Sequence, residues 1–432
     1  SDQKVYPPMS RFLAERGIPV MDGFRAEHLA HRPDLVVVGN AVPRANPEAV
    51  ECERLGLPFC SMPQAVNRFV AAGKRTLMVA GTHGKTTTSA LLAWILQAAG
   101  RDPSFVIGGI LRNFDSNYRL GAGEDLVIEG DEYDTAFFDK GPKFLHYAAA
   151  ATVLTSVEFD HADIYRDLDH VQSAFRRLAE GLAPDALLLA HDGDAAIDRV
   201  AAGCPARCRR YGAAEGSTWR LGRIQAAPPW THIEVLKEAR AFGRFRTRMI
   251  GRHNALNALA AVAVADHIGI PAAAAADALE RFEGVKRRQE IRGEKRGIVV
   301  MDDFAHHPTA VRETVAAVKS GYPGRRLIAV FEPRTNSSMR KIFQPVYPLA
   351  FDGADVVCIR RPPLLEKIPE AERFSSEELV AELRRQGQNA AFFPDTEGII
   401  DFIVRTGRSG DVVLIMSNGG FDHIHERLLA SL

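Results

Sequence analysis

Residues 80–92 read AGTHGKTTTSALL and follow an apolar run, TLMVA, at 76–80. An apolar strand, a glycine loop and an alanine- and leucine-rich helix in that order form a phosphate-binding loop. Gly81 and Gly84 let the backbone turn tightly and point N–H groups inward. The helix that follows adds the positive end of its dipole. Lys85 supplies charge for the outer phosphates, and Thr86 a hydroxyl for Mg²⁺. The usual spacing, G-x-x-x-x-G-K-[ST], asks for glycine at 79, and this chain has Val79. The competing reading is a plain glycine turn carrying a surface lysine. The strand before the loop and the helix after it favour the nucleotide.

The rest of the chain extends this pattern. DLVVVGN, EDLVIEG, AATVLTS and DALLLAH read as strands, as do GIVVMDDF, RLIAVFEP, ADVVCIR, NAAFFPD and DVVLIMSNGG further on. Helical stretches alternate with them, which predicts an α/β protein with mainly parallel sheets. Ligands in such sheets gather at the carboxyl ends of strands. At 432 residues the chain is too long for one ordinary domain. The expected division is 1–74, a central ATP-binding domain at 75–285, and a C-terminal domain at 286–432. The charged, glycine-containing RFEGVKRRQEI at 281–291 reads as the linker, and APPWTHIEV at 227–235 as a β-rich excursion.

Composition excludes several classes. Formal net charge is zero, with 54 basic and 54 acidic residues, so no nucleic-acid footprint is expected. Five cysteines, odd in number and sparse, predict no disulfide framework and fit a reducing cytoplasm. Cys204 and Cys208 lack the second pair that a zinc site needs. The opening SDQKVYPPMSRF has no apolar core for a signal peptide, and the run ALAAVAVA is stopped by Asp266 and His267. A soluble protein with no membrane partner is expected.

Four clusters accompany the loop. EGDEYD places Glu129, Asp131, Glu132 and Asp134 after a strand, either as hard oxygen ligands for Mg²⁺ or as a solvated loop. EFDHAD does the same with Glu158, Asp160, His161 and Asp163, His161 being a ligand or a cap. In GRHNALNAL, Asn254 and Asn257 share a helix face and suit an adenine edge, although asparagines also cap helices. MDDFAHHPT ends a strand in Asp302 and Asp303, followed by His306 and His307. A zinc reading of the histidine pair fails for want of a third ligand.

In this order the clusters resemble the Mur ligase family, the ATP-dependent amide ligases of peptidoglycan synthesis. GTHGKTTT is similar to that family's own phosphate loop, which lacks the early glycine. EGDEYD, EFDH, GRHNALNA, VKRR and DDFAHHPT are similar to its other motifs, over nearly the whole chain. The resemblance implies a three-domain architecture: a truncated Rossmann-like first domain, a central P-loop ATPase-like domain and a C-terminal Rossmann-like domain. SDQKVYPPMS resembles the second strand and loop of that first domain, so the family's opening strand and uridine-nucleotide loop are expected to lie before residue 1. Two branches compete, one adding L-alanine and one adding a whole peptide to UDP-N-acetylmuramate. YDTAFFDKGPKFLHY, SVEFDHADIY, FEPRTNSSM and MSNGGFDHIH resemble the peptide-adding branch. No lysine follows His161 in ADIYRDLDHVQSAFRRL, so the carbamylated lysine of many relatives is not expected, as in both these branches.

The same resemblance implies roles. Gly81, Thr82, His83, Gly84, Lys85, Thr86 and Thr87 would cradle ATP, with Lys85 on the β- and γ-phosphates. Thr86, Glu129 and His161 would hold Mg²⁺. Asn254 and Asn257 would meet adenine, Arg288 the γ-phosphate and Asp303 the ribose. The reaction would join the muramyl carboxylate to the amine of a murein tripeptide through an acyl phosphate, in peptidoglycan recycling. His306 is a candidate base, and a structural role fits it equally. Arg334, Ser417 and Asn418 are candidate acceptor contacts, or ordinary loop residues. The alternatives of other classes are a small-molecule kinase and a non-catalytic nucleotide-binding protein.

Overall fold

The computed structural model describes residues 1–3 and 9–432. Of the opening SDQKVYPPMS, residues 4–8 lie outside that description. The chain divides into two compact units, residues 1–74 with Asp131–Tyr147, and Arg75–Gly130 with Ala148–Leu432.

In the first unit Val36–Val38 pairs in parallel with Phe59–Ser61. The segment Asp131–Tyr147, expected within the central domain, packs here. It forms an antiparallel hairpin, Asp134–Ala136 with Asp139–Pro142. Phe137 and Phe138 lie 6.5 and 5.0 Å from the Phe59 ring.

The second unit holds two sheets. The central one contains β1 (Arg75–Ala80), β2 (Ser104–Leu111), β3 (Ser116–Arg119), β4 (Asp125–Gly130), β5 (Ala149–Leu154), β6 (Leu187–His191), β7 (Arg207–Gly212), β8 (Trp219–Ala227), β9 (Trp230–Lys237) and β10 (Arg240–Thr247). Their spatial order is β10-β9-β8-β7-β6-β5-β1-β4-β2-β3. Strands β2, β4, β1, β5, β6 and β7 run parallel, and β8 to β10 form an antiparallel meander, the expected excursion. The phosphate-loop strand β1 thus lies between β4 and β5, and this order brings the EGDEYD and EFDHAD strand ends to its two sides.

Helix α1 (Lys85–Ala98) leaves the phosphate loop and packs on α2 (Arg252–His267). Helix α2 is buried on nearly every side, from Asn254 to Ala265. Its alanines give it little side-chain bulk, so the two helices approach closely in one core.

The C-terminal sheet contains β11 (Glu290–Lys295), β12 (Ile298–Asp303), β13 (Leu327–Phe331), β14 (Val356–Arg360), β15 (Ala390–Phe393) and β16 (Val412–Met416), ordered β11-β12-β16-β13-β14-β15. All neighbours are parallel except β11 with β12. Val299 and Met301 face one core, with α3 (Pro308–Gly321), while Ile298 and Val300 face the other. Cover on both faces explains why these strands read as unbroken apolar runs. The linker is shorter than expected, since Arg281 ends a helix and β11 begins at Glu290.

All five cysteines are free thiols. Among the described residues no helix is long and apolar enough to cross a membrane.

Candidate active site

Val79 sits in β1 paired with Glu129 on one side and Val153 on the other, fully buried. The generic loop's first glycine position is therefore sheet core here, and the turn begins at Gly81. A Cβ at Gly81 would lie 2.2 Å from Thr155 Oγ1. Gly84 has φ +80°, and its Cβ would lie 2.6 Å from Asn257 Oδ1. Both glycines have positive φ, +130° at Gly81 and +80° at Gly84, and Gly81 is further required by the Ser156 backbone, whose N and O would lie 2.8 and 2.9 Å from a Cβ. The loop is built on the end of β5: Thr82 N donates to Ser156 O at 3.0 Å and His83 N to Ser156 Oγ at 2.9 Å. Lys85 Nζ donates to Gly81 O at 2.5 Å and Thr82 O at 3.3 Å, folded over the loop it would use to hold phosphates. Thr86 and Thr87 are buried in the first turn of α1, whose leading N–H groups have no intrahelical acceptor.

Three expected residues meet directly. Thr86 Oγ1 donates to Glu129 Oε1 at 3.0 Å, Arg288 Nη2 donates to Thr86 Oγ1 at 3.3 Å, and Glu129 Oε2 accepts from Gly108 N at 2.8 Å. Burial pushes the Arg288 guanidinium below its usual range, against the pull of Asp303 and Glu129. A desolvated cation beside hydroxyl and carboxylate oxygens is a preorganised anion contact. The hydroxyl–carboxylate pair is the hard oxygen donor set that Mg²⁺ prefers, so these residues fit that ion. Of the other EGDEYD acids, Asp131 pairs with Lys143 at 2.5 Å and Asp134 with Lys140 at 3.0 Å. His161 stands in the loop after β5 with φ +53°.

Asn254 and Asn257 are buried and joined, Asn257 Nδ2 donating to Asn254 Oδ1 at 3.2 Å. Thr88 Oγ1 donates to Asn257 Oδ1 at 3.2 Å, and Asn254 Nδ2 donates to Gln289 Oε1 at 3.1 Å. A hydrogen-bonded chain thus runs from the linker to the phosphate-loop helix. Asp303 serves the same junction. Its Oδ2 accepts from Gln289 N and its Oδ1 from Ala305 N, both at 2.8 Å, and a ribose contact there would compete with these bonds. Burial pushes the Asp303 carboxyl up.

The acceptor candidates cluster at the ends of β13 and β16. Ser417 is buried, and its Oγ donates to the buried Glu332 at 2.6 Å. Arg334 packs over Gly419, where a Cβ would lie 2.1 Å from Arg334 Cδ, and its Nη1 is 3.8 Å from Glu332. Asn418 Oδ1 is buried without a hydrogen-bond partner among the described residues. His306 donates through Nδ1 to Phe304 O at 3.0 Å, and its Nε2 faces Asp160 at 3.7 Å. Burial raises the Asp160 carboxyl, and the His306 ring more than reverses this, holding it well below the usual range. These contacts favour the structural reading of His306.

Sequence reading missed Arg287, Gln289 and Gly108. Arg287 Nη2 donates to Ser417 O at 2.6 Å and Gly419 O at 2.7 Å, and the Phe304 ring lies 5.2 Å from its guanidinium and 4.7 Å from that of Arg288. Three consecutive linker residues thus address the acceptor loop, the phosphate loop and the asparagine pair. A glycine pair inside the strand FVIGGI was a usable signal, since it marks close backbone approach.

Among the described residues, one trio, His83, Glu158 and His307, brings possible metal-ligand atoms within 4.8 Å of one another. His307 cannot ligate as it stands. Its Nδ1 accepts from Thr309 N at 3.2 Å and its Nε2 donates to Phe159 O at 3.1 Å. That pattern needs a neutral ring. Burial lowers the His307 pKa to about 4, and burial lowers that of His253 to about 4 as well. Unfolded, both rings protonate near 6.5. Between these values the unfolded chain holds more protons. Stability is therefore fully present above 6.5 and should fall on acidification by up to about 1.4 kcal/mol per pH unit for each ring. Urea midpoints at about pH 7.5 and about pH 5 check this, and equal midpoints would contradict it.

A parallel sheet whose phosphate loop meets an acidic strand end and an arginine from the linker to a second α/β sheet is the build of a nucleotide-dependent phosphoryl-transfer enzyme. Comparison with known proteins sharpens this. Residues 1–74 match the Mur ligase family catalytic domain, 79–265 the Mur ligase middle domain, and 287–419 the Mur ligase glutamate ligase domain. The chain belongs to the Mur ligase family and is an ATP-dependent, ADP-forming amide ligase. It is 39% identical over 435 residues to the UDP-N-acetylmuramate–L-alanyl-γ-D-glutamyl-meso-2,6-diaminoheptandioate ligase of Escherichia coli K12, covering 100% of this chain and 92% of that one. A UDP-N-acetylmuramate–L-alanine ligase of Carboxydothermus hydrogenoformans is 32% identical, covering 98% and 88%. The crystal structure of a murein peptide ligase from Psychrobacter arcticus superposes with TM-score 0.71 at 33% identity, covering 99% of this chain and 92% of that one.

Proposed function

We propose that the chain joins the lactyl carboxylate of UDP-N-acetylmuramate to the amine of L-alanyl-γ-D-glutamyl-meso-diaminopimelate, using ATP, in cytoplasmic peptidoglycan recycling. The observation that carries the chemistry is the direct meeting of Arg288, Thr86 and Glu129 at the phosphate loop. For the acceptor, the support is the full-length similarity to a tripeptide ligase at 39%, against 32% for an L-alanine ligase. The domains proposed are 1–74 for the UDP-sugar, 75–285 for ATP and 286–432 for the acceptor.

A carboxylate resists attack by an amine because its charge is delocalised and oxide is a poor leaving group. The carboxylate oxygen attacks the γ-phosphorus of ATP, the bond to the β-bridging oxygen breaks, and ADP leaves an acyl phosphate. The neutral peptide amine then attacks the acyl carbon, phosphate departs, and the amine proton passes to water. Lys85 leaves the Gly81 and Thr82 carbonyls to hold the β- and γ-phosphates, and Arg288 holds the transferring group in line. Thr86 and Glu129, with His161, would hold Mg²⁺, which neutralises phosphate charge when bound. The Asn254–Asn257 pair faces the nucleotide through the first turn of α1, and Gln289 ties that pair to the linker. Arg334 and Asn418 line the acceptor end, with Ser417 bracing Glu332 beneath them.

Product analysis tests the proposal. ATP, UDP-N-acetylmuramate and the tripeptide should give ADP, phosphate and the amide in equal amounts. A stable phosphorylated sugar formed without amine would instead make the protein a kinase.

A further inference from the structure

The loop Ser156–Asp163 carries more than His161. It is one of the segments of the central domain that pack against the C-terminal sheet and its helices, alongside Ile250. Phe159 O accepts from His307 at 3.1 Å, the Phe159 ring packs 6.5 Å from Phe343, and Ala162 N donates to Ser337 Oγ at 3.0 Å. Within this loop Glu158 faces both ways. Its backbone N donates to Thr82 Oγ1 at 2.8 Å, and Thr82 Oγ1 lies 3.2 Å from its carbonyl, so it is tied to the phosphate loop. Its carboxylate accepts from Thr309 Oγ1 at 2.6 Å, in the first turn of α3. The same oxygen lies 3.5 Å from His83 Nε2 of the phosphate loop and 3.7 Å from His307 Nδ1. The two imidazoles are 4.6 Å apart.

A carboxylate beside the N-terminus of a 14-residue helix is electrostatically favoured, whereas a cation there is not. With both His307 nitrogens already bonded, the trio is better arranged as a strut than as a metal site.

We propose that Glu158 is a positioning residue: a strut between the phosphate loop and the first turn of α3 that sets the phosphate loop and the His161 loop when the C-terminal sheet is seated. The proposal rests on the assignment of Gly81–Thr87 to ATP. It predicts that breaking the Thr309 bond slows turnover without removing nucleotide binding.

The test compares Thr309→Val, Thr309→Ser, Glu158→Ala and the Thr309→Val/Glu158→Ala pair, assayed for kcat, for KM of ATP and for radius of gyration by small-angle scattering with ATP present. Thr309→Ser keeps the hydroxyl and should stay within about twofold of the parent. Thr309→Val and Glu158→Ala should each lower kcat about tenfold with the KM of ATP within about threefold. The pair should be no worse than its worse member, because the two residues act as one contact. Thr309→Val should also expand the particle relative to Thr309→Ser. Parental kcat and size in Thr309→Val would overturn the strut, as would losses that multiply in the pair. A stoichiometric metal retained by the parent and lost from Glu158→Ala would overturn it in favour of a metal site. Should Glu158→Ala fail to fold, the valine and serine variants decide alone. Should the parent itself form no amide, the functional reading fails, while the scattering comparison still judges the strut.

Discussion

Replacing Lys85 with alanine is expected to lower kcat for ADP release by about 10³-fold, the upper end of what one preorganised charge contributes. The Lys85 ammonium bonds to carbonyls of its own loop, Gly81 O and Thr82 O. Alanine suits the first turn of α1, so the fold should persist, with an unchanged far-ultraviolet circular dichroism spectrum and a melting temperature near that of the parent. Steady-state ADP release measures the effect. Activity within a few fold of the parent would remove Gly81–Thr87 from the chemistry, and with it the reason for reading Val79 as the mark of a distinct phosphate loop.

The second large effect is expected at Arg288. Its side chain is half-buried, and its guanidinium lies 4.7 Å from the centre of the Phe304 ring and donates to Thr86 Oγ1. A lysine keeps the charge but loses the planar fork and the stacking, so Arg288→Lys is not conservative here. We expect kcat to fall about 10²-fold in Arg288→Lys and further in Arg288→Ala, with the KM of ATP changing far less. That split follows from the proposed roles, in which the arginine would meet charge that develops on the transferring phosphoryl group, whereas Asn254, Asn257 and the loop backbone would hold the ground-state nucleotide. Equal changes in KM and none in kcat would reduce Arg288 to a binding contact.

How much of this was legible depends on how local each feature is. The phosphate loop was readable because strand, turn and helix follow one another within 24 residues, Arg75 to Ala98, and each carries its own signal. Glu129 was readable as an acid at a strand end, but nothing local distinguished it from Asp131 and Asp134. Only the β1–β4 register, which sets Glu129 beside Val79, separates them, while the other two pair with lysines. Asn254 and Asn257 announced a shared helix face, and that face meets the phosphate loop at Gly84. The linker was legible as a linker and opaque as machinery. Arg287 and Gln289 adopt φ values of +64° and +50°, which neither residue type signals, and their partners lie far away in sequence. Asp303 was legible as an acid at a strand end, whereas the backbone bonds that occupy its oxygens were not.

Product analysis run as an acceptor panel tests the central claim most directly. The protein would be incubated with ATP, UDP-N-acetylmuramate labelled with ¹⁸O in its lactyl carboxylate, and either the tripeptide or free L-alanine. Amide formation is expected with the tripeptide, with one labelled oxygen in the phosphate released per turnover, because the acyl phosphate passes a carboxylate oxygen to phosphorus. Turnover with L-alanine alone would contradict the acceptor, and unlabelled phosphate accompanying the amide would contradict the mechanism.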